Sequence, residues 1–336
     1  MPRIKYVDYK PTAAVREVIE AAVYILEEYS ANGFDLTLRQ LYYQFIARDL
    51  FPESYAHPTS GTKNTIQSYN KLKSIVASAR EAGLIDWSHI VDRGRSSESR
   101  PHWDDATNFM SSVAPQFNID IWEAQPRRVE VWVEKDALSD VVSRACVPLD
   151  VPFTACKGYM SASTMWDAAH NRMLVNWNER RQPTVVLHLG DHDPSGIDMT
   201  RDIQKRLNLF SSQTSSRHSE ERGHPEITVS RIALTREQIE QYNPPPNPAK
   251  ESDARYPTYQ ADHGDESWEL DALEPQVIID LITEDIRNLM APRIYQRSRR
   301  TEASQRAQLE KIATNWDAVS DFLTDLPDEP EPSDDE

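Results

Sequence analysis

The chain has 336 residues, with 54 acidic against 37 basic side chains and a formal net charge of −17. That length leaves room for two domains of ordinary size, each able to bury a core, while the acidity argues at first sight against nucleic-acid binding. No apolar stretch reaches the length of a membrane span, and two cysteines, Cys146 and Cys156, give neither zinc-ligand spacing nor a disulfide framework.

The charge is unevenly spread. Residues 1–128 carry 15 basic and 16 acidic side chains, which leaves 22 against 38 for the remainder. Nine acids and no base follow from Asp317 onward, and the end DLPDEPEPSDDE cannot build a core, so an acidic disordered tail is expected over 316–336. The start, MPRIKYVDYK, lacks a signal-peptide core, and a reducing, cytoplasmic location is expected.

The N-terminal third has helical periodicity. Apolar spacing predicts a helix over 13–30, stopped at Asn32-Gly33; Asp35 or Thr37 caps a second, LTLRQLYYQFIARDLF; a third spans roughly 62–81 and closes at Gly83. Short helices followed by the extended basic stretch LIDWSHIVDRGRSS are the pattern of a winged-helix DNA-binding domain, expected over 1–125. Its basic residues Arg39, Lys63, Lys71, Lys73, Arg80, Arg93, Arg95 and Arg100 are candidates for phosphate contacts or simply solvated helix faces. The adjacent Tyr42 and Tyr43 point about 100° apart on a helix, so one is expected in the core and the other at the surface.

Two strands end in acids. VEVWV runs into Glu134 and then a helix; VVLHL runs into Gly190, Asp191, His192 and Asp193, after which Pro194-Ser195-Gly196 starts another helix. Buried strands of this kind belong to a parallel sheet, whose ligands lie beyond the carboxyl ends of the strands. Close carboxylates repel unless a cation lies between them, and hard oxygen ligands suit Mg²⁺. Glu134, Asp191 and Asp193 are therefore expected to form one metal site, with His192 pointing away from it, either to solvent or in support of a ligand. PFTAC is a candidate second strand; the Lys157 that follows is placed either at a substrate phosphate or at the surface. ITVSRIALT is a candidate further strand after a polar loop, SSQTSSRHSEERGH. The connector NPPPNPAKESDARYPTYQAD is too proline-rich for regular structure, and Glu269 and Asp271 beyond it precede a helix, where acids suit the capping end.

Glu134 at one strand end and the later D-x-D-P-x-G resemble the Toprim domain of topoisomerases and related nucleases, expected here over 126–315 with a C-terminal extension. More narrowly, VEKDAL, CKGY and LGDHDPSGID resemble the A subunit of DNA topoisomerase VI, a family that includes the meiotic double-strand-break transesterase and short stand-alone "mini-A" proteins. LRQLYYQF is similar to that family's R-D-[IL]-Y-Y segment, with Gln40 in place of the acid. The resemblance implies an α/β protein: a helical winged-helix domain, then a mainly parallel sheet flanked by helices. It implies Mg²⁺-dependent (Mn²⁺ as an alternative) cleavage of double-stranded DNA. Tyr43 would be the nucleophile, Arg39 would assist, Glu134 would bind metal or shuttle a proton, and one of Glu269 and Asp271, in text similar to the family's E-x-x-A-L, would support the metal site; Lys71, Arg80, Arg93, Arg95 and Lys157 are the expected DNA contacts among the basic residues. Because Tyr43 and the acids fall in separate expected domains, a homodimer in which one subunit's tyrosine meets the other's metal is expected; the resemblance also implies a separate ATPase subunit for strand passage, since no G-x-x-x-x-G-K-[ST] motif is present. A Toprim nuclease using water, and a non-catalytic winged-helix DNA-binding protein, are the alternatives.

Overall fold

The computed structural model describes residues 3–90, 101–212 and 224–325. Arg93, Arg95, Arg100 and most of the expected polar loop lie outside them. The chain divides into two units, residues 1–96 with 127–289, and residues 97–126 with 290–336.

The first unit opens with three helices, α1 (Ala13–Ala31), α2 (Leu38–Ala47) and α3 (Ile66–Glu81). Their starts follow from threonine caps: Thr12, Thr37 and Thr65 each accept a backbone N–H of the first turn. At α2 the cap is a capping box, since Gln40 Oε1 in turn accepts the Thr37 N–H at 2.8 Å. Val18, Ala22, Ile25, Leu41, Phe45, Leu72 and Val76 form the shared core of these helices. Both Tyr42 and Tyr43 are buried there, edge to face with ring centroids 5.4 Å apart, so neither ring reaches the surface as the 100° rule alone suggests. The core is wide enough for two adjacent helix positions because Phe51 and Tyr69 close over Tyr42 from other elements.

After α4 (Ala106–Val113), which belongs to the second unit, come β1 (Arg128–Val133), α5 (Ser139–Cys146), β2 (Phe153–Ala155), α6 (Ala162–Asp167) and α7 (Leu174–Arg180). Then follow β3 (Thr184–Leu189), α8 (Pro194–Ser212) and β4 (Ile227–Ala233). The four strands make one parallel sheet in the order β2-β1-β3-β4. The fold is therefore mixed α/β with a parallel sheet at its centre. β1 and β3 are almost wholly buried, as expected of strands covered on both faces. The chain leaves β1 toward β2 on one side and later leaves β3 toward β4 on the other. The carboxyl ends of β1 and β3 thus flank the point where the winding reverses, where open α/β sheets place ligands. Val133 pairs with Leu189, so Glu134 and the Gly190–Asp193 loop emerge side by side.

Beyond β4 lie α9 (Arg236–Tyr242), β5 (Asn247–Pro248), α10 (Tyr256–His263), β6 (Glu266–Ser267) and α11 (Pro275–Leu289). The proline-rich connector, expected to lack regular structure, thus contains a short strand and α10. Pro257 stands in the first turn of α10, where its missing N–H costs no hydrogen bond. Within the second unit, α12 (Pro292–Thr314) packs with α4 and α13 (Trp316–Thr324). Residues 316–324, expected within the tail, form a helix, because Trp316, Val319, Phe322 and Leu323 give them an apolar stripe at helical spacing. Among the described residues, no helix is long and apolar enough to cross a membrane.

Candidate functional site

The acidic loop after β3 is built by glycine and arginine as much as by aspartate. Gly196 sits so close to the loop that a methyl group on it would meet the Asp191 carbonyl oxygen at 2.2 Å. Asp193 Oδ1 accepts the Gly196 N–H at 2.6 Å and the Ser195 hydroxyl at 3.0 Å, which commits that oxygen to capping α8. From β4, Arg231 donates to the carbonyls of Gly190 (2.8 Å), Asp191 (2.6 Å) and Gly196 (2.8 Å). Burial pushes its pKa down, against the pull of Glu134, Asp191 and Asp193.

Glu134 Oε2 accepts the Asp191 N–H at 2.9 Å, so the two strand ends are bonded directly. Burial, with Asp191 and Asp193 nearby, pushes the Glu134 carboxyl up, while the Asp191 N–H opposes the shift. Asp191 is also pushed up by burial, with Lys135 pulling the other way. Its Oδ1 accepts the Leu270 N–H at 2.8 Å, which docks the segment between β6 and α11 onto the strand end. The paired backbone of His192 and Trp268 docks the same segment, with N–H···O distances of 2.8 and 3.0 Å.

That docking delivers two more acids. Among the described residues, the three groups whose ligand atoms all lie within 4.8 Å of one another are Asp191, Glu269 and Asp271. Asp191 and Asp271 are buried and Glu269 is half-buried. The set can hold a metal ion: three carboxylates converge, and a cation is already drawn to their centre, since Lys135 Nζ contacts all three. Hard oxygen donors of this kind fit a divalent ion such as Mg²⁺. Of the acids expected at the metal, Asp191 is in this triad; Glu134 and Asp193 stand beside it on the Asp191 N–H and the α8 cap.

Arg39 joins α2 to this cluster. It forms an ion pair with Glu269, and its Nε lies 3.0 Å from Asp271 Oδ2. Its Nη2 lies 3.4 Å from the Tyr43 hydroxyl. Tyr43 therefore faces the acids. Tyr42 faces away, donating to Asn64 Oδ1 (2.9 Å) and the Thr65 carbonyl (3.1 Å). Burial raises the pKa of Tyr43, Asp271 and Glu269 raise it further, and Arg39 and Lys135 oppose them. A recess of about 210 Å³ beside the pair is lined by Arg39, Tyr42, Tyr43, Asn64, Asn247 and Glu269.

The expected DNA contacts fare differently. Arg80 donates to the carbonyls of Trp87 (2.8 Å) and Ile90 (3.1 Å) and lies over the Trp87 ring, so its guanidinium already serves the fold. Lys71 lies over the Tyr55 ring, its Nζ 4.4 Å from the ring centroid. Lys157 has a positive φ of 55° and an exposed side chain near Asp136 at 3.2 Å. His192 is buried, with Nδ1 2.9 Å from the Tyr259 hydroxyl, and does not reach solvent. Lys135 and Arg231 had no place in the sequence reading. The available signal was a charge inside or directly after a buried strand, which must find a partner.

Compared with known proteins, the chain matches no family model and no curated sequence.

Proposed function

We propose that this chain is a divalent-metal-dependent DNA-cleaving enzyme of the topoisomerase VI A kind, with a winged-helix N-terminal part, a Toprim sheet and Tyr43 as nucleophile. The observation that carries the reading is convergence: Tyr43 and Arg39 of α2, Glu134 at the end of β1, Asp191 at the end of β3, and Glu269 with Asp271 meet in one cluster. A tyrosine hydroxyl aimed at a metal-ready acidic cluster has an obvious use in phosphoryl transfer.

In the reaction, the Tyr43 hydroxyl gives up its proton to solvent and its oxygen forms a bond to phosphorus as the bond from phosphorus to the 3′ oxygen breaks, leaving a 5′-phosphotyrosyl end. A divalent ion in the triad would neutralise charge on the phosphoryl oxygens as the transition state forms. Arg39 lies close enough to the hydroxyl to stabilise the phenolate as it attacks. Glu134, whose carboxyl pKa is pushed up by burial and the neighbouring Asp191 and Asp193, suits the donation of a proton to the leaving 3′ oxygen. A homodimer would cut both strands, and strand passage would require a separate ATPase subunit.

The raised pKa of Tyr43 favours a second reading, a Toprim nuclease in which water attacks instead. Incubation with supercoiled double-stranded DNA and Mg²⁺ or Mn²⁺, followed by a detergent quench, separates the two. Protein-linked ends that vanish in Tyr43→Phe support transesterification. Free ends that persist in Tyr43→Phe support hydrolysis, and intact DNA under all conditions leaves only a non-catalytic DNA-binding role.

A further inference from the structure

The centre of the acidic triad is filled from within the chain. Lys135 Nζ lies 2.9 Å from Asp191 Oδ1, 2.8 Å from Asp271 Oδ1 and 2.5 Å from Glu269 Oε2, one contact to each member. An ammonium there and a divalent ion there need the same lone pairs and repel each other across a few ångströms, so they exclude one another.

Asp271 divides its oxygens between two cations. Oδ1 accepts a hydrogen bond from Lys135, whereas Oδ2 is ion-paired with Arg39 Nε at 3.0 Å without hydrogen-bond alignment. Arg39 can therefore keep bracing the triad from the α2 side while Lys135 leaves. Lys135 is the second residue beyond the end of β1 and reaches the triad through its flexible four-carbon stem, so departure needs side-chain rotation and no movement of the sheet.

Resting on the metal reading of the triad, we propose that Lys135 is a tethered counter-ion that exchanges with the divalent ion. It neutralises the three carboxylates when the metal is absent and is displaced from them when the metal enters. The exchange sets the threshold for loading, because the apparent metal affinity is reduced by the fraction of molecules in which the ammonium holds the site. It also keeps three crowded carboxylates compatible with a folded, metal-free protein.

The test uses Mn²⁺ alone, titrated calorimetrically into the full-length chain at fixed pH and ionic strength. Lys135→Met and Lys135→Gln are expected to bind Mn²⁺ at least about tenfold more tightly than wild type, and Lys135→Arg no more tightly than wild type. Equal or weaker binding by the neutral variants overturns the exchange while leaving the metal site standing. Failure of folded wild type and both neutral variants to bind Mn²⁺ overturns the metal reading, and the exchange with it. A second measurement needs no substitution: amine-reactive labelling of Lys135 in wild type, read by mass spectrometry, is expected to rise when Mn²⁺ saturates the protein. Labelling that does not change overturns the exchange.

Discussion

Gly196→Ala probes the packing that creates the acidic loop. The added methyl group would stand 2.2 Å from the Asp191 carbonyl oxygen, 3.0 Å from its carbon and 3.2 Å from its nitrogen. Comfortable contacts are about 3.5 Å or longer, so the start of α8 must retreat by roughly 1 Å. Backbone displacement of that kind costs about 1–3 kcal/mol, and weakening the Gly196 hydrogen bonds to Asp193 and Arg231 adds about 1 kcal/mol. Alanine returns about 1 kcal/mol through its helix propensity. The expected net loss is about 1–3 kcal/mol in urea unfolding followed by tryptophan fluorescence. Gly190→Ala is the matched control. Its nearest neighbours would be Glu134 Oε2 at 2.9 Å and His188 Cε1 at 3.2 Å, side-chain atoms rather than backbone, so its cost is expected to be smaller than that of Gly196→Ala, about 1 kcal/mol. Metal binding by Gly196→Ala should weaken as well, because the displaced backbone carries Asp191. A Gly196→Ala protein within about 0.5 kcal/mol of wild type would refute the packing argument.

Tyr42→Phe removes a hydroxyl that serves Asn64 and the Thr65 carbonyl, so a loss of about 1 kcal/mol in stability with DNA cleavage retained is expected from unfolding and nicking assays run together. Glu134→Gln changes the pH profile of stability in metal-free buffer. The folded protein holds the Glu134 carboxyl near 7, above its ordinary 4.5, so its ionisation costs stability as pH rises through that interval. The variant should therefore gain on wild type by on the order of 1–2 kcal/mol between pH 4.5 and 8, and a flat difference in melting temperature would contradict this. Replacing Arg93 and Arg95 together is expected to reduce the salt slope of DNA binding by roughly one per lost phosphate contact, measured by fluorescence anisotropy; an unchanged slope would remove this segment from the interface.

What the sequence made legible was local. VEVWV and VVLHL had to be buried strands because no shorter-range arrangement shelters so many β-branched residues, and the acids that follow had to emerge at the sheet's carboxyl edge. Thr37 and Gly83 likewise announced helix ends through chemistry that acts within a few residues. The membership of the acidic cluster was not local. Glu269 lies 230 residues from Arg39 in sequence and meets it because the backbone of Trp268 pairs with that of His192 and the Leu270 N–H bonds Asp191. Lys135 was hidden for a different reason: a lysine after a strand-end glutamate looks like a solvated charge until three carboxylates surround it. Tyr42 and Tyr43 showed the limit of helical geometry, since the 100° offset gives the angle between two rings but not the extent of the core around them.

The reading as a whole stands most directly on the covalent product. Wild-type protein should be incubated with double-stranded DNA and Mn²⁺, quenched in detergent, and digested with nuclease and trypsin, and the peptide of residues 40–48 should be sequenced by mass spectrometry. A nucleotide mass carried on Tyr43 is the expected result. DNA cut to free ends with that peptide unmodified, or the mass found on Tyr42, would contradict the account.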